Sequence, residues 1–269
     1  MYAQVMANVG VNFKFYRRNR LLLVAGLLIM LVTALSTVPS LFFLTKAQHL
    51  SIIITAASQL SNFATIIIPA LGLMLISHHL GNRSIKMVFT KPCPPEAWLV
   101  SSSISAVIVA ALFYIGIFLI CTMLFAVWSI QFQWGLVFVL LNDFAHTLIW
   151  LGYITFLAVF FRPVVAVLFV IIFQEGSFYY LKLLLISGIK TATGSLALFL
   201  KLAKGLVDVI YMLLPLTNPF QEKTEHVYKS LRGGDADWLT LIATWGYALG
   251  ISLFFFLLAG YFLKKKRLI

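Results

Sequence analysis

Residues 78–103 read HHLGNRSIKMVFTKPCPPEAWLVSSS, and they lie between two long apolar runs. The segment carries Arg83, Lys86 and three prolines. Proline lacks an amide hydrogen and disfavours helix in the residue before it, so these prolines predict a break in the chain's helical structure. We expect residues 81–89 to form a short helix lying flat at the cytoplasmic membrane surface. Trp98 is predicted to mark the point where the chain re-enters the bilayer. The alternative is a basic cytoplasmic loop without a helix.

The composition of the whole chain is that of a membrane protein. The 269 residues are 62% hydrophobic and only 10% charged, and the mean hydropathy is +1.01. A membrane-spanning helix needs about 20 apolar residues, whereas a transmembrane strand is an alternating segment of about ten. The long, continuously apolar runs therefore predict an all-α polytopic membrane protein. The net charge of +12 favours cytoplasmic anchoring over nucleic-acid binding.

Residues 1–20 are expected to form a helix that lies in the membrane interface. Their apolar side chains recur at helical spacing, and basic residues end the segment. An apolar stripe combined with basic residues suits an interfacial helix. Asn12 is predicted to lie away from the apolar face. The predicted apolar face consists of Tyr2, Val5, Met6, Val9, Phe13 and Tyr16.

Six membrane-spanning helices follow in the prediction, and Pro39 and Pro69 are placed to kink the first two. The basic tail at residues 264–267 and the basic loops require cytoplasmic N- and C-termini. Two cytoplasmic termini require an even number of spans, which six satisfies. The predicted spans are residues 21–43, 52–77, 104–128, 136–161, 164–185 and 239–263.

Residues 187–237 form an external region in this topology, although they contain several lysines. Residues 195–214 are apolar enough for a seventh span, but four polar residues recur there at helical spacing and would form one polar stripe. A seventh span would also place the basic C-terminal tail outside. We therefore predict a re-entrant helical hairpin, partly inserted from the outer face, whose polar stripe faces water or a vestibule. The stripe residues are Lys201, Lys204, Asp208 and Tyr211.

Three ionisable residues lie inside the predicted spans and are candidates for a functional role: Asp143, His146 and Glu175. Charge inside a bilayer is costly, which makes such residues functional candidates. Asp143 and His146 are three residues apart and share a helix face. We favour a structural network of interhelical hydrogen bonds that joins the fourth and fifth predicted spans. Direct contact with a transported substrate is the alternative.

Two stretches carry a resemblance to a known family of membrane proteins. The first is residues 77–103, SHHLGNRSIKMVFTKPCPPEAWLVSSS, and the second is the C-terminal run TWGYALGISLFFFLLAGYFLKKKRLI. Together with the interfacial helix, the six spans and the re-entrant element, they resemble the membrane subunit of type-2 ABC exporters, the ABC type-2 permease family. Pro92 matches a proline of that family. The family's acidic residue near position 79 is absent, and Glu96 stands where a basic residue is common.

The resemblance implies partners and a contact surface. In that family the segment between the second and third spans docks in a groove of a separate cytoplasmic ATPase subunit. ATP and Mg²⁺ would then belong to the partner, and this chain would carry no cofactor. A second permease copy, identical or related, would complete a dimer in the lipid of the inner (plasma) membrane. The implied ATPase contacts are Arg83, Ser84, Ile85, Lys86, Met87 and Phe89, with Arg162 as a smaller second contact.

Motifs for catalysis do not occur in the sequence. A GxxxxGK[ST] phosphate loop, an HExxH zinc motif and a GxSxG nucleophile motif are all absent. We therefore name no catalytic or metal-binding residues and expect a permease subunit that is not itself an enzyme. A secondary transporter that uses the intramembrane ionisable residues is one alternative. A membrane subunit that uses ATPase motion mechanically, without transport, is another. Lipid, glycan, drug and peptide substrates all fit an apolar, aromatic-rich lining.

Overall fold

The computed structural model consists of helices and short connecting turns in the part of the chain that it describes, with no strand among those residues. This confirms the predicted all-α class for the described ranges. The helices are α1 (Tyr2–Arg18), α2 (Lys46–Gly81), α3 (Pro95–Val127), α4 (Gly135–Phe160), α5 (Glu175–Thr191), α6 (Ser195–Leu213) and α7 (Trp238–Arg267). The structure describes residues 2–18, 20, 24, 26–27, 31, 46–81, 95–161, 175–191, 194–213 and 238–267.

Four of the described helices are long and apolar enough to cross a membrane, and they agree with the second, third, fourth and sixth predicted spans. The first predicted span lies largely outside the described residues, and the fifth is described only from Glu175 onward. α3 begins at Pro95 rather than at residue 104, because proline is well suited to the first turn of a helix. The four segments are Ile52–Ile76, Ala97–Val127, Gly135–Phe160 and Trp238–Lys265.

α4 is the central helix of the bundle and packs against α2, α3 and α7. Its contact with α7 is a contact between backbones at Gly152. A methyl group added at Gly152 would lie 2.7 Å from the Cα of Ser252. The Ser252 hydroxyl also donates a hydrogen bond to the Leu148 carbonyl at 2.7 Å. Small residues that allow such close approach are typical of helix pairs in membranes.

α1 docks on α2 and α3 through a face that shares Val5, Val9 and Tyr16 with the predicted one and differs from it at Asn12. Asn12, predicted to point away from the apolar face, is buried, and its Nδ2 donates to the Ser105 hydroxyl at 3.0 Å. The prediction for Asn12 was wrong because Ser105 supplies the hydrogen bond that offsets the cost of burying an amide. The Tyr16 hydroxyl donates to the Leu71 carbonyl at 3.5 Å. Tyr2 and Met6, assigned to the apolar face, are exposed.

α5 and α6 form an antiparallel helical hairpin, called the α5–α6 hairpin below. Gly194 lies in the connection with φ of +66°, a left-handed conformation that favours glycine. A methyl group added at Gly188 would lie 3.3 Å from the Leu200 side chain, so the two helices pack closely near the turn. The helix predicted within residues 195–214 is therefore present.

Candidate functional site

A cluster of polar side chains lies where α2, α3 and α4 meet, and we call it the Asp143 cluster. The Ser61 hydroxyl donates to Oδ2 of Asp143 at 2.6 Å. This separation is typical of a hydroxyl bonded to a carboxylate. The Tyr114 hydroxyl lies 3.4 Å from the Ser61 hydroxyl and 2.8 Å from the Thr147 hydroxyl, and the shorter contact joins α3 to the same group. The members of the cluster are Ser61, Thr65, Tyr114, Asp143 and Thr147.

The hydroxyl protons of the Asp143 cluster can be assigned to acceptors one by one. Thr65 donates to the Ser61 carbonyl at 3.0 Å, and Thr147 donates to the Asp143 carbonyl at 3.1 Å. Since each hydroxyl has one proton, Tyr114 is the donor in its 2.8 Å bond with Thr147. The result is a connected network of neutral hydroxyls around one carboxylate, and it ties three membrane helices together.

The structure only partly addresses the predicted group of Asp143, His146 and Glu175. Asp143 is bonded to Ser61, so its described interhelical partner belongs to the second predicted span. His146 is partly buried one turn along α4. The side chain of Glu175 lies outside the described residues. The predicted link between the fourth and fifth spans therefore stays a prediction.

Sequence reasoning missed the hydroxyl residues around Asp143, although the sequence carries a signal for them. Ser61 and Thr65 are four residues apart, as are Asp143 and Thr147, so each pair shares one helix face. A polar pair on one face of each of two apolar helices predicts that the two faces meet. Tyr114 has no comparable signal, because a tyrosine in an apolar helix also suits a membrane interface.

A second polar cluster lies in the α5–α6 hairpin. The Lys182 ammonium group is 3.0 Å from Oδ1 of Asp208, and the Lys204 ammonium group is 3.1 Å from Oδ2. The hydrogen bond from Lys182, and then that from Lys204, hold the pKa of the Asp208 carboxyl below its usual value. Two members of the predicted polar stripe are thus paired in one cluster, whereas the Tyr211 side chain lies outside the described residues.

Lys182 was missed although it lies inside the fifth predicted span. Its position in an apolar run should have placed it beside Asp143, His146 and Glu175 as an intramembrane ionisable residue. The polar stripe on the following helix was the available signal for its partner. A lysine in one helix of a hairpin and a carboxylate on the stripe of the other predict an ion pair between them.

The face of α6 opposite this cluster is apolar and exposed. Five large side chains lie on it, and each is more than half exposed. In a water-soluble helical hairpin the apolar faces pack together and the polar faces are exposed. α6 shows the reverse arrangement, because its polar face pairs with α5 and its apolar face is exposed. Such a surface is typical of a contact with a membrane or with another protein. The five residues are Leu198, Phe199, Leu202, Leu206 and Val209.

A cleft between α3 and α4 opens to the side of the bundle, with a volume of about 260 Å³. Its lining is apolar and aromatic and includes Phe118, Leu141 and Phe144. Tyr114 also lines it, so its ring borders the cleft while its hydroxyl belongs to the Asp143 cluster. The Asp143 cluster is therefore separated from this cleft by a single aromatic side chain.

The residues implied as ATPase contacts lie outside the described part of the chain. These residues are Arg83, Ser84, Ile85, Lys86, Met87, Phe89 and Arg162. The helices on either side of the first six are described, since α2 ends at Gly81 and α3 begins at Pro95. In the described ranges, no group of three or more His, Cys, Asp or Glu side chains is arranged to hold a metal ion.

The chain was compared with models of protein families and with curated protein sequences. No protein-family model matches the chain, and no curated protein sequence matches it.

Proposed function

We propose that this chain is the permease subunit of an ATP-driven exporter of the type-2 ABC class. It would work as a dimer of permeases with cytoplasmic ATPase subunits that bind ATP and Mg²⁺. The proposal includes six spans, cytoplasmic termini and an α5–α6 hairpin that enters the membrane from the outer side. The chain would supply the substrate path and the mechanical coupling, and its partner would supply the energy.

The observation that carries the proposal is the way α1 is fixed to α2 and α3. These two helices flank residues 82–94, which contain most of the implied ATPase contact. Leu71 and Ser105, the residues that hold α1, lie about 15 Å from the helix ends at Gly81 and Pro95, at 1.5 Å per residue. Because packed helices move as units, a displacement at residues 82–94 would tilt α1, α2 and α3 together.

The decisive experiment is co-expression of the chain with a soluble ATPase that carries phosphate-loop and signature motifs. The purified chain alone should not hydrolyse ATP, whereas the complex should. Phe89→Ala should lower the yield of the complex or uncouple hydrolysis from transport, since truncating an aromatic anchor in a partner pocket costs about 2 kcal/mol or more. Arg83→Ala, at the rim, is the matched control and should have a smaller effect at physiological salt.

Two results would contradict the proposal. One is robust ATP hydrolysis by the isolated chain. The other is a Phe89→Ala variant with unchanged complex yield, ATPase rate and transport, which would make residues 82–94 a simple connector.

The proposed topology has a separate test. Single cysteines introduced at Lys86 and Lys265 should react with a membrane-impermeant reagent only from the cytoplasm. Cysteines at Thr224 and Asp235 should react only from outside. Reaction of position 224 from the cytoplasmic side would overturn the six-span arrangement and leave the described helices unaffected.

The Asp143 cluster favours a second candidate, a secondary transporter. Such proteins need an ionisable group inside the membrane, and Asp143 with its hydroxyl partners meets that requirement. In this case Asp143→Asn should abolish transport driven by an ion gradient in vesicles that contain no ATPase. Transport that needs ATP and the ATPase subunit would exclude this candidate.

A further inference from the structure

The α5–α6 hairpin has more positive charge than its own carboxylates can neutralise. Over α5 and α6 there are four lysines and two carboxylates, Glu175 and Asp208, an excess of two positive charges. Lys182 and Lys204 share the single carboxylate of Asp208, one at each oxygen. Two ammonium groups held beside one carboxylate leave a net positive site.

Four of these charged residues lie along one side of the hairpin. Lys201, Lys204 and Asp208 are three and four residues apart on α6 and therefore share one face, and Lys182 reaches that face from α5. We call these four residues the lysine seam. Lys201 is exposed, and the side chains of Lys182, Lys204 and Asp208 are 35%, 34% and 28% exposed. The seam is thus open enough for an external group to reach it.

The edge of the exposed apolar face of α6 adjoins the lysine seam, because Leu198 and Val209 lie about 60° and 80° around the helix from Lys201, at about 100° per residue. That face offers large side chains such as Leu202 and Leu206 along the length of the helix. Lys182 lies about 18 Å from Gly194 in the turn, at 1.5 Å per residue, so the Asp208 end of the seam is far from the hairpin tip. An anionic group bound there would have apolar surface within reach of any hydrocarbon chain that it carries.

We propose that the lysine seam binds the phosphate head of an anionic amphiphile, with its hydrocarbon part against the apolar face of α6. The phosphate chemistry follows from charge complementarity, because lysine ammonium groups are point-charge donors for phosphate oxygens. The amphiphile follows from the adjoining apolar surface, which a free phosphate ion would not use. This inference rests on the hairpin alone and does not depend on ATP-driven transport.

The test is thermal unfolding of the purified full chain in a neutral detergent, titrated with phosphatidylglycerol, phosphatidylcholine or inorganic phosphate. Phosphatidylglycerol should raise the midpoint temperature, and the other two should not. Lys182→Gln and Lys204→Gln should each raise the half-maximal phosphatidylglycerol concentration about fivefold, the factor expected from about 1 kcal/mol per lysine. Lys265→Gln, the same charge change in the basic tail of α7, is the matched control; the tail can itself attract anionic lipid, so this variant should raise the half-maximal concentration by less than either hairpin variant.

Asp208→Asn gives a test of opposite sign. It removes the competing carboxylate, so it should lower the half-maximal phosphatidylglycerol concentration, which a merely misfolded hairpin would not do. An equal response to phosphatidylcholine would overturn the anionic assignment. An equal response to inorganic phosphate would overturn the amphiphile, and a Lys182→Gln/Lys204→Gln titration identical to that of the unmodified chain would overturn the site.

Discussion

α4 and the α5–α6 hairpin place polar groups in an apolar chain in two different ways. α4 is buried against three neighbouring helices, and its polar contacts are mostly short hydroxyl bonds around Asp143. The hairpin instead exposes its apolar face and pairs full charges along its other side. A network of hydroxyls needs close packing, because each bond fixes one helix against the next. A seam of lysines needs open space, because long charged side chains must reach their partners.

This contrast predicts different roles for the two regions. In the Asp143 cluster every assigned proton already has an acceptor within the protein, which favours a structural role. The hairpin retains an excess of two positive charges, with four lysines against Glu175 and Asp208. We therefore expect substitutions in α4 to act mainly on stability, and substitutions in the hairpin to act mainly on binding. The following predictions test that division, from the largest effect to the smallest.

Gly152→Ala should cause the largest loss of stability. Its new methyl group would lie 2.7 Å from the Cα of Ser252, which belongs to the backbone of α7 and cannot rotate away. Overpacking of this kind costs about 1–3 kcal/mol and occasionally more. Thermal unfolding in detergent should show a lower midpoint. Gly116→Ala on α3 is the control, because nothing lies within 4 Å of the added methyl group. Equal midpoints for the two variants would show that α4 and α7 do not meet as described.

Thr147→Val should cost more than Thr155→Val, although both residues are buried on α4. Each threonine donates to the carbonyl four residues before it, at 3.1 Å and 2.7 Å. Thr147 also accepts from Tyr114 of α3 at 2.8 Å. Its replacement leaves a buried phenol without that acceptor, at a cost of about 1–3 kcal/mol. If the two variants unfold at the same temperature, the Asp143 cluster does not tie α3 to α4.

The sequence predicted the α4 region better than it predicted its contacts. Runs of apolar residues fix where helices form, and the described spans agree with those runs. Which faces meet depends on a few polar residues, and Asn12 shows the difficulty. Read on its own helix, Asn12 belongs to a polar side, but Ser105 on another helix makes its burial favourable. A hydrogen bond of this kind depends on two segments that are distant in the sequence. The spacing of residues within one segment cannot predict it.

The hairpin was predicted by a different kind of signal. Its polar stripe was visible because three charged residues in an apolar segment recur at helical spacing. The same reasoning overlooked Lys182, because one lysine among many apolar residues has no periodicity of its own. Its role follows only from the antiparallel packing of α5 on α6, which brings it within 3.0 Å of Asp208.

Asp208→Asn should have the smallest effect on stability in the absence of lipid. Ion pairs with about a third of the side chain exposed contribute about 0–1 kcal/mol, so the midpoint at pH 7 should fall by a few degrees at most. The bonds from Lys182 and Lys204 lower the pKa of Asp208 relative to the unfolded chain. A carboxyl with a lowered pKa stabilises the fold above its unfolded value of about 3.9, and this contribution is lost as the pH falls through the folded value. The difference between the two proteins should therefore stay constant from about pH 8 to 5 and shrink as the pH falls below the unfolded value and through the folded pKa of Asp208. Lys265→Gln is the control, since it leaves Asp208 and both of its partners in place. The contrary result is a difference in unfolding midpoint that grows as the pH falls. It would mean that the fold stabilises the protonated form of Asp208, and the hairpin would then resemble the neutral hydroxyl network of α4 rather than a set of charged pairs.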